Sequence, residues 1–326
     1  MGKICVISFD HWNYDHHIIA KLNELGHQAH HIKIGGFKHK NFIERIQNTF
    51  SKIFLKTNPK LKKRQDFILE TLVQLGSQDQ ILVINPELID REYHLEIKKK
   101  TKKYIAYLYD SVERNPIDHI PIEIFDQTFS FDTNNCEKFG FSKISNYIYD
   151  IAIPIATKIE NDLIYIGSID ERMDFLEQIG DILKSKNLKF TFYCIGKKAF
   201  VYNLKKAFTG KFKNITFQKK RFNQNTTLLK YSQSNIILDI VRQNQSGLSF
   251  RIFEGLGLKK KLITNNQSIL NYDLHQIDAI SYVNKLEDFN NIDTFINSKP
   301  NFENRIINNY KLENWVKRVF NLDFSK

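Results

Sequence analysis

The sequence lacks the short motifs that identify several large enzyme classes. Its three cysteines are far apart and none belongs to a CxxC pair, so neither a disulfide framework nor a zinc site is indicated. No G-x-G-x-x-G follows the first apolar run and no P-loop is present, which argues against a dehydrogenase or a P-loop NTPase. H-E-x-x-H and a loop D-x-D are also missing. We therefore expect ligand binding without a metal ion or a cofactor.

Long apolar runs are missing too, since none approaches the roughly 18 residues that span a bilayer. The chain begins with KICVISFD, which is typical of a strand and not of a secretory signal, so we expect a cytoplasmic protein. What the sequence does have is a formal net charge of +12. This charge predicts attraction to nucleic acid, anionic lipid or a phosphorylated substrate, unless it reflects a compositional bias towards Lys, Asn and Ile.

Strand-like and helix-like segments alternate along both halves of the chain. The helical segment HHIIAKLNELG separates the apolar runs KICVISFD and QAHHIKI, and further apolar runs follow. The pattern restarts with DLIYIGSIDERMDFLEQIGDILKSK and continues through KFTFYCIG, ITFQ, NIILDIV and KLITN. This alternation predicts two α/β domains, each with a parallel sheet covered by helices. We place them at 1–154 and 155–305, with a helical segment, 306–326, packing back on the first domain.

Residues 38–64 combine basic and apolar side chains. Nine Lys and Arg residues surround apolar positions at helical spacing, namely Phe42, Ile43, Ile46, Phe50, Ile53 and Phe54. A basic amphipathic helix of this kind either lies on an anionic membrane surface or packs its apolar face on the sheet. The sequence leaves both interpretations open.

The segment LDIVRQNQSGLSFRIFEGLGLKKKLITNN holds the sharpest functional signal. A strand leads into a polar loop, and a helix begins near Ser249. Free backbone N–H groups at a helix start, with the positive end of the helix dipole, bind phosphate. Glu254 lies about one and a half turns further on, where a carboxylate can accept two hydrogen bonds from a ribose diol. Arg251 can pair with a diphosphate or with Glu254. The plainer alternative is a capped structural helix with a surface Arg and Glu pair.

The order of strand, Ser/Gly loop, R-x-x-E helix and K-x-L-I-T-N strand resembles the donor-binding region of GT-B glycosyltransferases, in particular a family 1-like glycosyl transferase with a CgeB-type C-terminal domain. The resemblance implies two Rossmann-like domains facing each other across a cleft, and a nucleotide diphosphate sugar as donor. It assigns the ribose to Glu254 and the diphosphate to Ser246, Gly247, Leu248 and Ser249. Many retaining members have a second Glu eight residues before the first. Because the chain has Ser246 there, we expect an inverting enzyme.

Two further loops match the same class more weakly. Gly167 and Ser168 end the first strand of the second domain, where the missing Cβ lets the backbone approach a ligand or simply permits a turn. Arg172 follows and is expected to reach an anion across the cleft. Residues 219–222 are expected to hold the nucleotide base through their backbone, with Arg221 among the basic side chains of that loop.

The loop HWNYDHH after the first strand carries candidate catalytic groups. In α/β sheets ligands bind at the carboxyl ends of strands, and an inverting transfer needs a general base near the acceptor hydroxyl. We predict His11 as this base, with Asp10 or Asp15 as its orienting partner. His16 and Asp110 are expected to face the cleft and the acceptor. Loop histidines also serve as surface residues or helix caps.

These features predict an enzyme of polysaccharide biosynthesis that transfers a sugar to a cell-envelope glycan or a lipid-linked acceptor. Its expected partners are the nucleotide sugar, that acceptor and, through residues 38–64, an anionic membrane surface, with no nucleic acid. One alternative is a sugar-nucleotide epimerase of the same fold. Another is a non-catalytic nucleic-acid binder with steeply salt-dependent affinity, although no recognised nucleic-acid motif is present.

Overall fold

The computed structural model describes residues 2–10, 12–35, 59–151, 158–243, 245–302 and 304–322. His11 and residues 38–58 of the basic segment therefore lie outside the described residues. The chain divides into two compact units, of which the first consists of Met1–Ile144 and Trp315–Lys326 and the second of Ser145–Asn314. The sequence-based boundaries lie after residues 154 and 305.

The first unit contains a six-stranded parallel sheet with helices between its strands. The strands are β1 (Lys3–Ser8), β2 (Gln28–Lys33), β3 (Gln78–Ile84), β4 (Thr101–Leu108), β5 (Gln127–Ser130) and β6 (Ser142–Lys143). They lie in the order β2-β1-β3-β4-β5-β6. The helices are α1 (Asp15–Glu24), α2 (Pro59–Leu75), α3 (Arg91–Lys98) and α4 (Thr133–Phe139).

The second unit contains another six-stranded parallel sheet. Its strands are β7 (Asn161–Ser168), β8 (Phe190–Ile195), β9 (Ile215–Gln218), β10 (Ser234–Asp239), β11 (Lys261–Thr264) and β12 (Ile280–Tyr282). They lie in the order β12-β11-β10-β7-β8-β9. The helices are α5 (Met173–Ser185), α6 (Ala199–Thr209), α7 (Gln224–Ser232), α8 (Phe250–Gly257), α9 (Ile292–Asn297) and α10 (Asn304–Asn309).

The central strands of both sheets are buried along nearly their whole length. In β1 every residue after Lys3 is buried, and in β11 all four residues are. The sequences of such strands are continuous apolar runs, because helices cover both faces of a parallel sheet. The runs KICVISFD and KLITN therefore fold as the sequence predicts, and the α/β class with two parallel sheets is confirmed.

The C-terminal helical segment is interrupted. One helix ends at Asn309, and α11 (Leu312–Phe320) begins three residues later. Between them the Ile148 N–H donates to the Tyr310 carbonyl at 2.7 Å, and the Leu312 N–H donates to the Ile148 carbonyl at 2.8 Å. Through these bonds the backbone around Lys311 pairs with Ile148 in a parallel bridge and does not continue the helix. In the described part of the chain no helix is long and apolar enough to cross a membrane.

Candidate functional site

The second sheet changes its direction of winding between β7 and β10. These two strands are neighbours, but the chain leaves β7 towards β8 and leaves β10 towards β11, on the opposite side. The loops that follow, 169–172 and 240–249, therefore diverge at the carboxyl end of the sheet. Open α/β sheets bind ligands at such a switch point. The functional residues predicted for the second domain cluster around these two loops, with the exception of Arg221.

Asp239 ends β10 and holds the start of α8 in place. Its Oδ1 accepts hydrogen bonds from Ser249 Oγ at 2.7 Å and Arg251 Nε at 2.8 Å, and its Oδ2 accepts from Thr264 Oγ1 at 3.0 Å. The Asp239 side chain has no exposed surface. Burial alone would lower the pKa of Arg251, but the charge of Asp239 raises it overall. The pair is therefore a fixed ionic link between β10 and α8.

A second buried carboxylate, Asp170, lies in the loop after β7. Arg172 donates to it with Nε at 2.8 Å and Nη2 at 2.5 Å, and Arg242 Nε donates at 3.0 Å. Burial would raise the pKa of Asp170, yet the hydrogen bonds and charges of the two arginines lower it. Arg172 is 7% exposed, and its Nη1 donates to the Ile240 carbonyl at 2.9 Å. Arg172 thus braces the two loops, while Arg242 keeps more of its side chain exposed (29%).

The backbone of the Ser/Gly loop is oriented by two asparagines. Asn266 Nδ2 donates to the Gly247 carbonyl at 3.0 Å, and Asn146 Nδ2 donates to the Leu248 carbonyl at 2.9 Å. In a trans peptide the C=O and N–H of one unit point in opposite directions. The N–H groups of Leu248 and Ser249 therefore point away from the asparagines, and no described residue accepts from them.

Those N–H groups adjoin the start of α8. Ser249 is the N-cap residue in an extended conformation, and its hydroxyl bonds Asp239 instead of capping the helix. In the first turn of α8 the Ile252 N–H donates to the Ser249 carbonyl at 3.1 Å. The N–H groups of Leu248 and Ser249 lie beside the positive end of the helix dipole, which is a site for an anion. Ser246 and Gly247 precede these two residues in the same loop.

Gly167 leaves room for the Tyr165 ring. A Cβ at Gly167 would lie 2.2 Å from Tyr165 Oη. The ring is fully buried, and the guanidinium carbons of Arg172 and Arg251 lie 5.8 and 5.4 Å from its centroid. Cation–π attraction of this kind stabilises the stacking of two cations on one ring. The missing Cβ thus has a packing role that the sequence did not reveal. Ser168, the last residue of β7, is partly exposed.

Glu254 lies on α8 with only 2% of its surface exposed. Tyr149 Oη donates to Glu254 Oε1 at 2.7 Å. The pKa of Tyr149 is raised, first by burial and then by the charge of Glu254, so the phenol keeps its proton. Of the two partners predicted for Arg251, Glu254 is not the one it contacts, because Arg251 pairs with Asp239.

Arg221 lies in the loop after β9, on the edge strand of the second sheet. Its pKa is lowered by desolvation and then by the charge of Arg242. An anion bound near both guanidinium groups would favour their charged forms.

The predicted catalytic loop of the first unit lies at the carboxyl end of β1. Asp10 has a φ of 43°, which aspartate tolerates better than most residues. Its Oδ1 accepts from the Asp15 N–H at 3.1 Å and its Oδ2 from Lys33 Nζ at 2.7 Å. Burial, followed by the charge of Asp10, raises the pKa of Asp15 to about 7. Beside them Ser8 Oγ lies 2.9 Å from His31 Nε2, and burial lowers the pKa of that histidine.

The other residues predicted for the first unit lie in two places. His16 is on α1, with its ring 3.9 Å from that of His17 and with its buried Nδ1 unpaired among the described residues. Asp110 follows β4 and accepts from Arg114 Nη1 at 2.7 Å. Across the described ranges no three His, Cys, Asp or Glu side chains come together as metal ligands.

Several residues of the second site were not predicted. Asp170, Asp239 and Arg242 form its ion pairs, and Tyr149 and Asn266 hold its predicted members. Asp239 had a readable signal, because it is the only charged residue in the run NIILDIV and stands at the carboxyl end of the strand. Tyr149 had none, since it lies 105 residues from Glu254 in the chain.

No protein-family model matches the chain, and no curated protein matches it either. The CgeB-type assignment therefore remains a prediction. Solved structures do match, at low sequence identity. The glycosyltransferase AviGT4, involved in avilamycin A biosynthesis, has a TM-score of 0.63 at 8% identity and covers 98% of this chain and 96% of its own.

Two further matches have named organisms. The UDP-forming α,α-trehalose-phosphate synthase from Burkholderia xenovorans has a TM-score of 0.60 at 11% identity, covering 98% of each chain. The UDP-GlcNAc 2-epimerase from Methanocaldococcus jannaschii, in complex with UDP-GlcNAc and UDP, has a TM-score of 0.58 at 16% identity, covering 98% of this chain and 100% of its own. Together with the two parallel sheets, these matches show that the chain has the GT-B fold of two Rossmann-like α/β domains.

Proposed function

We propose that the chain is a glycosyltransferase that moves a sugar from a nucleotide diphosphate sugar to an acceptor hydroxyl. The observation that carries the proposal is the pair of N–H groups at Leu248 and Ser249, beside the N-terminus of α8. Its place at the switch point is where the fold binds ligands. Of the matched proteins, the trehalose-phosphate synthase is UDP-forming and the epimerase binds UDP-GlcNAc and UDP, which supports a nucleotide diphosphate as the anion.

The diphosphate is proposed to bind to loop 246–249, with Arg242 and Arg221 beside it. Arg172 and Arg251 play a different part, since their donors are committed to Asp170, Asp239 and backbone carbonyls. They hold the loops in position before the ligand arrives. Because the loops are held in this way, their N–H groups need no reorganisation when charge develops on the leaving diphosphate.

Glu254 is proposed to accept the hydroxyl groups of the ribose. Its hydrogen bond from Tyr149 fixes the orientation of the carboxylate, because one oxygen is held at 2.7 Å. The backbone of residues 219–222 is proposed to hold the base. Gly167 and Ser168 adjoin the diphosphate from the end of β7.

The chemistry requires an acceptor hydroxyl to lose its proton as its oxygen attacks the anomeric carbon. The bond between that carbon and the diphosphate oxygen breaks, and the nucleoside diphosphate leaves with the electron pair. We propose His11 as the base, with Asp10 as its orienting partner and His16 and Asp110 on the acceptor side. Burial and then the charge of Asp10 raise the pKa of Asp15 to about 7, so this carboxyl would change charge near neutral pH.

The acceptor is proposed to be a cell-envelope glycan or a lipid-linked sugar, with inversion at the anomeric carbon and no metal ion. Residues 38–64 are proposed to contact an anionic membrane surface, where a lipid-linked acceptor would be available. These assignments rest on the sequence pattern and on the missing second glutamate at Ser246.

Calorimetric titration with UDP, GDP, CDP and dTDP tests the donor site. We expect one of them to bind, and Glu254→Ala to weaken it at least tenfold because the ribose contacts are lost. Binding of none, or unchanged binding by Glu254→Ala, contradicts the assignment. His11→Ala tests the base separately, since it should abolish transfer and leave donor affinity nearly unchanged.

A sugar-nucleotide epimerase is the second candidate, favoured by the match to the UDP-GlcNAc 2-epimerase over 98% of this chain. It would use the same diphosphate site. Incubation with the bound donor and no acceptor separates the two functions. An altered nucleotide sugar indicates epimerisation, whereas a product that forms only with an added acceptor indicates transfer.

A further inference from the structure

The second unit contains a long basic segment that has no acidic residue. Between Asp181 and Asp239 the sequence has thirteen Lys and Arg residues and no Asp or Glu. Because the whole chain carries +12, the residues outside this segment sum to −1. The segment covers β8, α6, β9 and α7, which form one edge of the second sheet. This edge therefore carries a local excess of positive charge, as residues 38–64 do with nine Lys and Arg and one Glu.

Helix α6 lies within this segment and presents apolar side chains to solvent. Phe200 is 70% exposed, Val201 60%, Leu204 43% and Phe208 85%. At about 100° per residue these four side chains fall within an arc of about 100°. We call them the α6 apolar face.

The opposite side of α6 is the one that packs on the protein. Ala199 is buried, the Tyr202 ring stacks on Phe217 at 5.2 Å, and Lys206 Nζ donates to the Ile215 carbonyl at 2.8 Å. The usual arrangement of a surface helix, apolar side inward and polar side outward, is thus partly inverted. A face with two phenylalanines more than two-thirds exposed indicates an interaction surface.

Lysines flank the apolar face. Lys197, Lys198, Lys205 and Lys211 are all exposed, and none of them forms an ion pair with a described carboxylate. Glu171 and Asp174 line the same pocket as three of them, but no bridge within 4.0 Å joins the two sets among the residues described. Apolar side chains flanked by lysines that form no salt bridge with a described carboxylate match an anionic bilayer, which offers both negative headgroups and acyl chains.

Two other occupants fit this surface less well. A second copy of the chain would bring the same lysines to the contact, so like charges would oppose each other. A nucleic acid would satisfy the lysines and could stack on phenylalanine, but it has no apolar surface for Val201 and Leu204.

We propose that the second unit docks on an anionic lipid membrane through the α6 apolar face and its flanking lysines. The phenylalanines enter the boundary between headgroups and acyl chains, and the lysines contact the headgroups. This surface lies apart in the sequence from residues 38–64 and goes beyond the proposed sugar transfer. It would hold the donor-binding unit itself at a membrane surface.

Flotation of the full chain with vesicles tests this proposal. We expect binding to vesicles of equal parts phosphatidylglycerol and phosphatidylcholine, little binding to phosphatidylcholine alone, and weaker binding as salt is added. The double variant Phe200→Ser/Phe208→Ser should lower partitioning about tenfold or more. Because both side chains are mostly exposed, the fold should be retained. Leu95→Ser on α3 and Phe139→Ser on α4, with partly exposed apolar side chains outside both proposed membrane surfaces, are the matched controls and should bind as the unchanged chain does.

A second variant measures how deeply the α6 apolar face enters the bilayer. Phe208→Trp should give blue-shifted emission on the anionic vesicles and be quenched by brominated lipid, measured against the unchanged chain with its own two tryptophans. No quenching overturns the proposal, as does equal vesicle binding by the double serine variant. Two further results would overturn the proposal. One is that the unchanged chain forms a dimer that the double serine variant dissociates. The other is that the unchanged chain binds an oligonucleotide but no vesicles, and that the double serine variant loses the oligonucleotide binding. Nucleotide affinity of the double variant is measured in parallel and should not change, so failure of the membrane proposal and failure of the donor site are distinguishable.

Discussion

At the carboxyl end of the second sheet, Asp170 and Asp239 each pair with arginine side chains, whereas at the same end of the first sheet Asp10 pairs with Lys33. Both sheets are parallel, six-stranded and built around a switch point. The pKa of Asp170 is lowered, and that of Asp15 is raised to about 7. Similar topologies therefore support two different kinds of electrostatic site.

The difference corresponds to what the proposed sugar transfer would require of the two units. Binding of a diphosphate would need fixed charges and oriented N–H groups, such as those of the second unit. Proton transfer would need a group that changes charge near neutral pH, and Asp15 of the first unit has a pKa raised to about 7. The fold places a site of either kind at the ends of its strands, and the side chains there decide which kind it is.

The largest expected effect tests whether the ion pair of the second site contributes more to stability than the ion pair of the first. Asp239→Asn should lower the free energy of unfolding by about 3–5 kcal/mol, because Arg251 is left with an uncompensated charge in a buried place. Asp10→Asn is the matched change in the first unit and should cost about 1 kcal/mol or less, since Lys33 is 43% exposed and stays hydrated. Urea titration measures both, and hydrogen exchange assigns each change to its sheet. Equal losses would remove the distinction between the sites.

The second prediction concerns pH. A carboxyl with a folded pKa of about 7 and an ordinary unfolded value stabilises the fold below about pH 4 and loses that contribution as the pH rises towards 7. Asp15→Asn should therefore make the protein more stable at pH 8 by between about 2 and 4 kcal/mol, and change it little at pH 4.

Unfolding midpoints of the unchanged chain and Asp15→Asn at both pH values provide the measurement. The lowered pKa of His31 acts in the opposite sense, because its contribution is lost as the pH falls below the ordinary histidine value. That contribution is common to both proteins and cancels in their difference. In the second unit the pKa of Asp170 is lowered, so its contribution to stability is lost only as the pH falls through its folded pKa. The two sites therefore change the stability of the protein in different pH ranges. A destabilised Asp15→Asn at pH 8 would contradict the raised pKa.

The smallest effect concerns affinity. Arg242→Ala should weaken binding of the preferred nucleoside diphosphate about tenfold, or about 1.4 kcal/mol, because one charge-assisted contact is lost. Arg305→Ala, an exposed arginine on α10, and Lys33→Ala, in the first site, should leave affinity unchanged. Calorimetry measures all three. An equal loss with Lys33→Ala would mean that the first site, too, binds the anion.

Sequence patterns were most reliable for buried strands and for the start of α8. Continuous apolar runs such as NIILDIV have to be buried, and Ser249 is a residue that commonly begins a helix. They failed at the C-terminal segment, which reads as one helix although Tyr310 and Lys311 interrupt it. They also missed α6, where Phe200, Val201, Leu204 and Phe208 face solvent instead of the core and so give a misleading pattern.

The sequence by itself determined the two α/β halves, the Ser/Gly loop followed by a helix, and the place of Arg251 and Glu254 on that helix. These features depend on neighbours within a few residues, where propensity and periodicity act. Only the tertiary structure decided that Arg251 pairs with Asp239, that its Nη1 reaches a carbonyl 85 residues away, and that Tyr149 holds Glu254 from 105 residues away. Such partners are set by strand order and register, which bring distant loops to one edge of a sheet, and no local pattern encodes that meeting.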